Sequence, residues 1–283
     1  GDKLRAFYQI KGLSENNEIV LCCFTHSSVK SKYIKQLEPY CKEVKIIRLK
    51  WFYTVISLIR AFSNGMPFQV SYFYLKQAQR QFDDLLARHM PRHIYCQLIR
   101  VAEYTLKYTI FPKTLDYMDA LSKGVERRVD KSPSYMKSLL RSEAERLKKY
   151  ESKIFDFFTL KTIISEHDRE FIENSRRGEI RVIRNGVNTD YFVPRDTKKE
   201  FDLVFTGNMS YPPNIDSVCY LVEEILPVVW KLNPDVNLLI SGTNPTARVK
   251  ALASKNVKVT GWVDDIRKSY SIAKIFVAPM RIG

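Results

Sequence analysis

Short apolar runs rich in Val, Ile and Phe recur along the whole chain, at residues 19–24, 44–49, 93–98, 114–118, 160–164, 181–183, 203–205, 236–240, 257–260 and 275–278. Most are too short for helices and lack clean polar–apolar alternation. That is the pattern of strands buried on both faces. Helical spacing lies between them, at 3–11, 29–38, 134–158 and 215–231. In the second of these, Val29, Tyr33, Ile34 and Leu37 share one side. In the last, Val218, Leu221, Val222, Ile225 and Val229 do. Strand and helix in alternation predict an α/β chain with parallel sheets and helices on both faces.

The series breaks once, at "RNGVNTDYFVPRDTKKEFD" (184–202), where Gly186 and Pro194 interrupt regular structure and "RDTKKE" reads as exposed. A new strand–helix series starts at Leu203. The expectation is two Rossmann-like domains facing each other, 1–185 and 186–283. Ligands of such sheets bind beyond the carboxyl ends of the strands, and a cleft between two of them suits a substrate.

The net charge of +15 points to a polyanion, an anionic membrane face or an anionic substrate. Residues 121–150 carry much of the excess of Lys and Arg. The aromatic residues lie mostly in apolar runs and do not interleave with basic patches, which argues against nucleic acid. Cys22, Cys23, Cys41, Cys96 and Cys219 are odd in number and lack metal-ligand spacing. They read as reduced thiols of a cytoplasmic protein, and four scattered histidines predict no metal site. "WFYTVISLIRAF" (51–62) is the most apolar stretch, and Arg60 cuts it short of a membrane span. The chain opens inside what reads as a motif and stops directly after a strand. Both ends read as cut, the second domain as truncated.

The stretch "FTGNMSYPPNID" (205–216) is the end of a buried strand, one glycine, a polar loop and two prolines. Gly207 would let main chain approach a ligand closely. Pro212 and Pro213 suit a helix start, whose free N–H groups and dipole would face an anion. Asn208, Ser210 and Asn214 add neutral donors. The loop reads as a cradle for a pyrophosphate that lacks a cation, or as an ordinary strand-to-helix turn.

"RVIRNGVNTDYFVP" (181–194) resembles the segment that ends the first domain of retaining GT-B glycosyltransferases of the GT4 kind. Residues 202–283 resemble the opening of their nucleotide-sugar-binding domain. "GDKLR" at the start, the "RSEAERLKKYE" helix (141–151) and "TGNMSYPPN" (206–214) are similar to a subgroup of sugar transferases from bacterial exopolysaccharide clusters. The resemblance covers most of the chain. It implies a cytoplasmic enzyme, whose basic first domain could rest on the inner face of an anionic membrane. That enzyme moves a sugar from a nucleotide-diphosphate donor, its co-substrate, to a glycan or lipid-linked acceptor, with retention and without metal or other cofactor.

Roles carry over position by position. Gly1 and Lys3 match a Gly-rich loop over the donor phosphates, where Lys3 or Arg5 could face an anion. Gly207, Asn208 and Asn214 match the pyrophosphate loop, with Asn at both positions where many relatives carry Arg and Lys. Arg281, beside Gly283, is then the candidate cation, since an Arg grips a phosphate through two N–H groups. Trp262 and Val263 match the strand end that flanks the base. Asp116 and Asp119 border the transferred sugar and acceptor, where a carboxylate could bind hydroxyls or take the acceptor proton. Arg100, Ser165, Glu166 and His26 lie at other strand ends of the first domain. Arg281, Trp262, the two aspartates and His26 also have plain structural readings. Soon after "PMRIG" (279–283) the family carries two acidic donor-binding residues that this sequence does not reach. Two rival readings stay open: a nucleotide-sugar epimerase, and a non-enzymatic basic protein that binds a polyanion or membrane.

Overall fold

The computed structural model describes residues 2–130 and 132–281. The chain divides into two compact units, Gly1–Asn185 and Gly186–Gly283.

In the first unit, α1 (Asp2–Ser14) leads into β1 (Val20–Thr25), α2 (Ser31–Lys35) and β2 (Glu43–Arg48). The two strands pair in parallel, Val20 opposite Glu43 and Thr25 opposite Arg48. Three helices come next: α3 (Trp51–Asn64), α4 (Phe68–Phe73) and α5 (Lys76–His89). Gly65, at φ 71° in the left-handed region, closes α3. Then come β3 (Ile94–Gln97), α6 (Glu103–Leu106), β4 (Lys113–Asp116), α7 (Leu121–Val129), α8 (Ser134–Ile154), β5 (Leu160–Ile163), α9 (Glu166–Glu170) and β6 (Arg181–Val182).

Every described pairing in this unit is parallel, but the strands form two sheets: β1–β2, and β3–β4–β5–β6. Leu115 of β4 and Ile163 of β5 share a buried cluster with Leu147, Ile154 and Phe155 from α8 and the turn after it. A second cluster gathers Ile47, Leu49, Phe82, Leu86, Ile94 and Tyr104, and so ties the small sheet to the large one through α5 and α6. Phe24 of β1 stacks on Tyr104 with ring centroids 3.9 Å apart.

Helix α8 holds this unit through polar groups as well as apolar ones. The buried Glu143 carboxylate accepts the Phe68 and Gln69 N–H groups at 2.7 and 2.9 Å, capping α4. The buried Glu151 carboxylate accepts the Ser122 N–H at 3.0 Å and the Ser122 hydroxyl at 2.5 Å, capping α7. Arg146 donates to the Ala61 and Met66 carbonyls at the end of α3. These helix ends would otherwise leave orphan main-chain groups in the interior. The segment 141–151 is thus a structural staple.

The second unit is one four-stranded parallel sheet, ordered β10–β7–β8–β9. Its strands are β7 (Phe201–Thr206), β8 (Leu238–Ser241), β9 (Val257–Gly261) and β10 (Ala273–Phe276). Between β7 and β8 run α10 (Pro212–Tyr220), a π turn (Leu221–Ile225) and α11 (Leu226–Leu232). Helix α12 (Ala247–Lys250) comes after β8, and α13 (Ile266–Ser271) after β9. Phe205, Val218, Leu226, Leu238, Ile240 and Val257 form the main core. The chain runs from β7 outward to β9, then returns to the other side of β7 as β10. The strand order therefore reverses between β7 and β10, which is where open α/β sheets bind ligands.

Candidate functional site

The reversal point of the second unit carries the Gly207 loop. The Gly207 N–H donates to the Ser241 carbonyl at 3.1 Å and the Met209 N–H to the Thr243 carbonyl at 2.7 Å, so the loops after β7 and β8 are laced together. Their approach is close enough to exclude side chains. A Cβ on Gly242 would lie 1.7 Å from the Gly207 carbonyl oxygen, and one on Gly207 would lie 2.6 Å from Asn214 Nδ2. The Asn208 side-chain oxygen accepts from the Ser210 N–H and hydroxyl at 3.1 and 2.9 Å. Asn214 donates its amide to the Asn208 carbonyl at 3.0 Å.

This arrangement corrects one expectation. Helix α10 does not offer free N–H groups. Pro212 and Pro213 have none, and those of Asn214 and Ile215 are both taken by the Tyr211 carbonyl. Among the described residues, the Asn208 N–H has no partner, so that donor and the helix dipole are what the loop presents to an anion. Asn208 and Asn214 hold the loop with their side chains.

Arg281 lies beyond β10 at the same reversal point. Its guanidinium donates to both carboxylate oxygens of Asp216, at 3.1 and 2.8 Å, lies 3.6 Å from Glu224 and covers the Tyr220 ring. The Asp216 bonds raise its affinity for the proton further. A phosphate would have to draw Arg281 away from these carboxylates. At the far side of the sheet, the exposed Trp262 and Val263 beside it line a hollow of about 390 Å³ with Thr260, Lys258, Lys268 and Phe201. Gly283 lies outside the described residues.

In the first unit, the ends of β3, β4 and β5 bring together Arg100, Asp119, Ser165 and Asp168. Asp119 reaches the surface, yet the protein around its carboxyl raises its pKa; Asp168 and Asp2 add to the rise and Arg100 opposes it. Burial lowers the Arg100 pKa, and Asp119 and Asp2 oppose that. The Arg100 Nε is buried without a hydrogen-bond partner. Ser165 caps α9, accepting the Asp168 N–H at 3.0 Å and donating to the Asp168 carboxylate. Glu166 is exposed and paired with Arg169. The residues that enter these strand ends are strained: Leu98, just after β3, has φ 71° and Met118, before Asp119, has φ 66°. Side chains with a Cβ rarely adopt such angles, which cluster at functional sites.

Four other residues have different surroundings from those expected. Asp116 is fully buried and accepts from Arg5 Nε and the Tyr95 hydroxyl at 2.9 Å, from Gln9 at 3.2 Å and from the Met118 N–H at 3.1 Å. It anchors α1 to the four-stranded sheet. Arg5 also donates to the Ile183 carbonyl and Asn185 side chain at 3.0 and 2.9 Å, so its charge is committed inside the unit. His26 bonds the Thr54 hydroxyl at 2.9 Å and sits among the rings of Trp51 and Tyr72, where burial lowers its pKa. Lys3 stands exposed in the first turn of α1 instead of in a loop, and Gly1 lies outside the described residues. Among the described residues, no group of three or more His, Cys, Asp or Glu side chains is placed to hold a metal.

No curated protein matches the chain. The chain is similar in structure to a glycosyltransferase from Rickettsia africae ESF-5, at 15% identity and a TM-score of 0.58, over 98% of this chain and 69% of that one. It is similar to TarM at 13% identity and a TM-score of 0.55, covering 72% of this chain but only 40% of TarM. It is also similar to the alpha,alpha-trehalose 6-phosphate synthase from Burkholderia multivorans, at 10% identity and a TM-score of 0.53, over 93% of this chain and 78% of that one. At these identities the likeness is one of fold. Residues 200–283, the stretch that carries the Gly207 loop, match the family described as Glycosyl transferases group 1, and the fold is α/β, Rossmann-like and of the GT-B kind.

Proposed function

We propose that the chain belongs to a GT-B glycosyltransferase of the retaining GT4 kind. It would transfer a sugar from a nucleotide-diphosphate donor to a glycan or lipid-linked acceptor in bacterial surface polysaccharide synthesis. The observation that carries this reading is the family match at 200–283, because it falls on a glycine-laced loop at the strand-order reversal. In this reading the donor diphosphate lies against Gly207 and Asn208, with the base toward Trp262 and Val263. Charge on the departing diphosphate is met by the Asn208 N–H, the α10 dipole and Arg281, which exchanges Asp216 for phosphate; no metal ion or other cofactor takes part. The acceptor side is the Arg100–Asp119 group. A carboxyl with a raised pKa beside a buried guanidinium is suited to binding sugar hydroxyls and to taking a proton. The enzyme works in the cytoplasm, at the inner face of the membrane.

The test is a melting screen against UDP, GDP and CMP and their sugars. One base is expected to raise the melting temperature by several degrees at a hundredfold excess over Kd, corresponding to about 2.7 kcal/mol. No shift with any of them at millimolar concentration overturns the reading. Product analysis with and without added acceptor then separates transfer from epimerisation.

A further inference from the structure

Helix α3 leaves most of one apolar side uncovered. Thr54 and Ala61 face the core, whereas Phe52, Val55, Ile59 and Phe62 are 70%, 49%, 64% and 66% exposed. Their spacing, i, i+3, i+7 and i+10, puts all four on one stripe. Trp51 extends it at the start, packed on His26 and Tyr72. Phe62 packs on Phe68, which Arg146 of α8 covers. About two and three turns earlier on α8, Leu139 and Tyr135 are exposed as well. The stripe thus continues from α3 toward the start of α8.

The charges around it have one sign. Residues 44–82 contain no Asp or Glu and six Lys or Arg: Lys45, Arg48, Lys50, Arg60, Lys76 and Arg80. Lys50, just before α3, and Arg60, on it, flank the stripe and are exposed. Lys137 and Arg141 flank its continuation, and residues 134–142 have no acidic side chain. Monomeric proteins rarely expose so continuous an apolar face. A second copy is a poor cover for it, because a two-fold contact would set Arg60 and Lys50 against the same cations. An apolar stripe rimmed by cations complements a bilayer whose acyl chains lie beneath anionic headgroups.

We infer that the outer face of α3, continued by the start of α8, is where this protein docks on an anionic lipid bilayer. Phe52, Val55, Ile59 and Phe62 enter the headgroup boundary, and Lys50, Arg60, Lys137 and Arg141 meet the lipid phosphates. No helix among the described residues is long and apolar enough to cross a membrane, so the helix lies in the interface plane. The inference extends the reading of a membrane-side glycosyltransferase but is measured without donor or acceptor. Its failure and the failure of that reading are therefore separate results.

The test is sedimentation of the protein with vesicles of phosphatidylcholine alone and of phosphatidylcholine with about one-quarter phosphatidylglycerol. Binding to the anionic vesicles is expected to exceed that to neutral ones by about tenfold and to weaken with added salt. The triple variant Phe52→Ser, Ile59→Ser, Phe62→Ser, changed only at exposed positions, should lose at least about tenfold in partition with its melting temperature unchanged. Should that variant misfold, the exposed charge reversals Lys50→Glu and Arg60→Glu test the rim and are expected to abolish the preference for anionic vesicles. Equal binding to both vesicles, undiminished binding by the variants, or a solution dimer that the triple variant dissociates would overturn the inference.

Discussion

Gly242 and Gly207 face each other across two loops, yet they differ in tolerance. A methyl at 242 meets main chain at 1.7 Å, where nothing can rotate aside, whereas one at 207 meets the Asn214 side-chain amide, which can turn away at the cost of its bond to Asn208. Gly242→Ala should therefore cost on the order of 4 kcal/mol or more, or prevent the second unit from folding. Gly207→Ala should cost about 1–3 kcal/mol. Urea unfolding followed by Trp230 and Trp262 fluorescence distinguishes them. Glu151 gives a pH signature. Burial holds its carboxyl at about 7, against 4.5 for an ordinary glutamate, even though Ser122 bonds favour the charged form. A raised folded value means that the protonated group stabilises the fold fully below pH 4.5, and that this is lost as pH rises through 7. The loss is on the order of 3 kcal/mol. Glu151→Gln should flatten that slope in melting curves between pH 5 and 8. Of these features, the turn from strand to helix at Gly207 was legible, since an apolar run, a lone glycine and two prolines follow one another there. The Arg5–Asp116 pair was not, because 111 residues separate partners that only the sheet brings together.

At the scale of the element, apolar runs marked the strands well. The run at 19–24 is β1 (Val20–Thr25) and that at 160–164 is β5 (Leu160–Ile163), though 275–278 is displaced from β10 (Ala273–Phe276). The long charged pattern at 134–158 is α8 with one 3-10 turn after it. The pattern at 29–38 shrinks to the five residues of α2, because its apolar side chains find no deep core to pack against. Helices α3 to α5 had no sequence expectation, since an apolar run such as 51–62 reads equally as strand or helix until its exposed side is seen. Nor could sequence show that the glutamates of α8 cap other helices. Glu143→Ala should cost about 2–3 kcal/mol, because two N–H groups at the start of α4 lose their acceptor. Glu145→Ala, two residues on and exposed, should cost under about 0.5 kcal/mol. Thermal melts of the two variants make the comparison.

At the scale of the whole molecule, each unit carries its own buried clusters, and the chain from 183 to 200 has no regular structure. Trypsin should cut first there, after Arg184, Lys198 or Lys199, all exposed. Two fragments that resist further digestion are the expected product, read by mass spectrometry; prior cleavage within β4 or β7 would speak against independent units. The alternation of strands and helices made the α/β, parallel-sheet fold legible, but not the division of the first unit into two sheets. That division has a consequence. One flank of β1 pairs with β2, and no strand among the described residues covers the other. Its sequence, "VLCCFT", has neither a charge nor a proline to repel a newcomer. That flank is a place where a further strand, of this chain or of another, can be laid down, and six residues remote from Gly207 in sequence decide what it accepts.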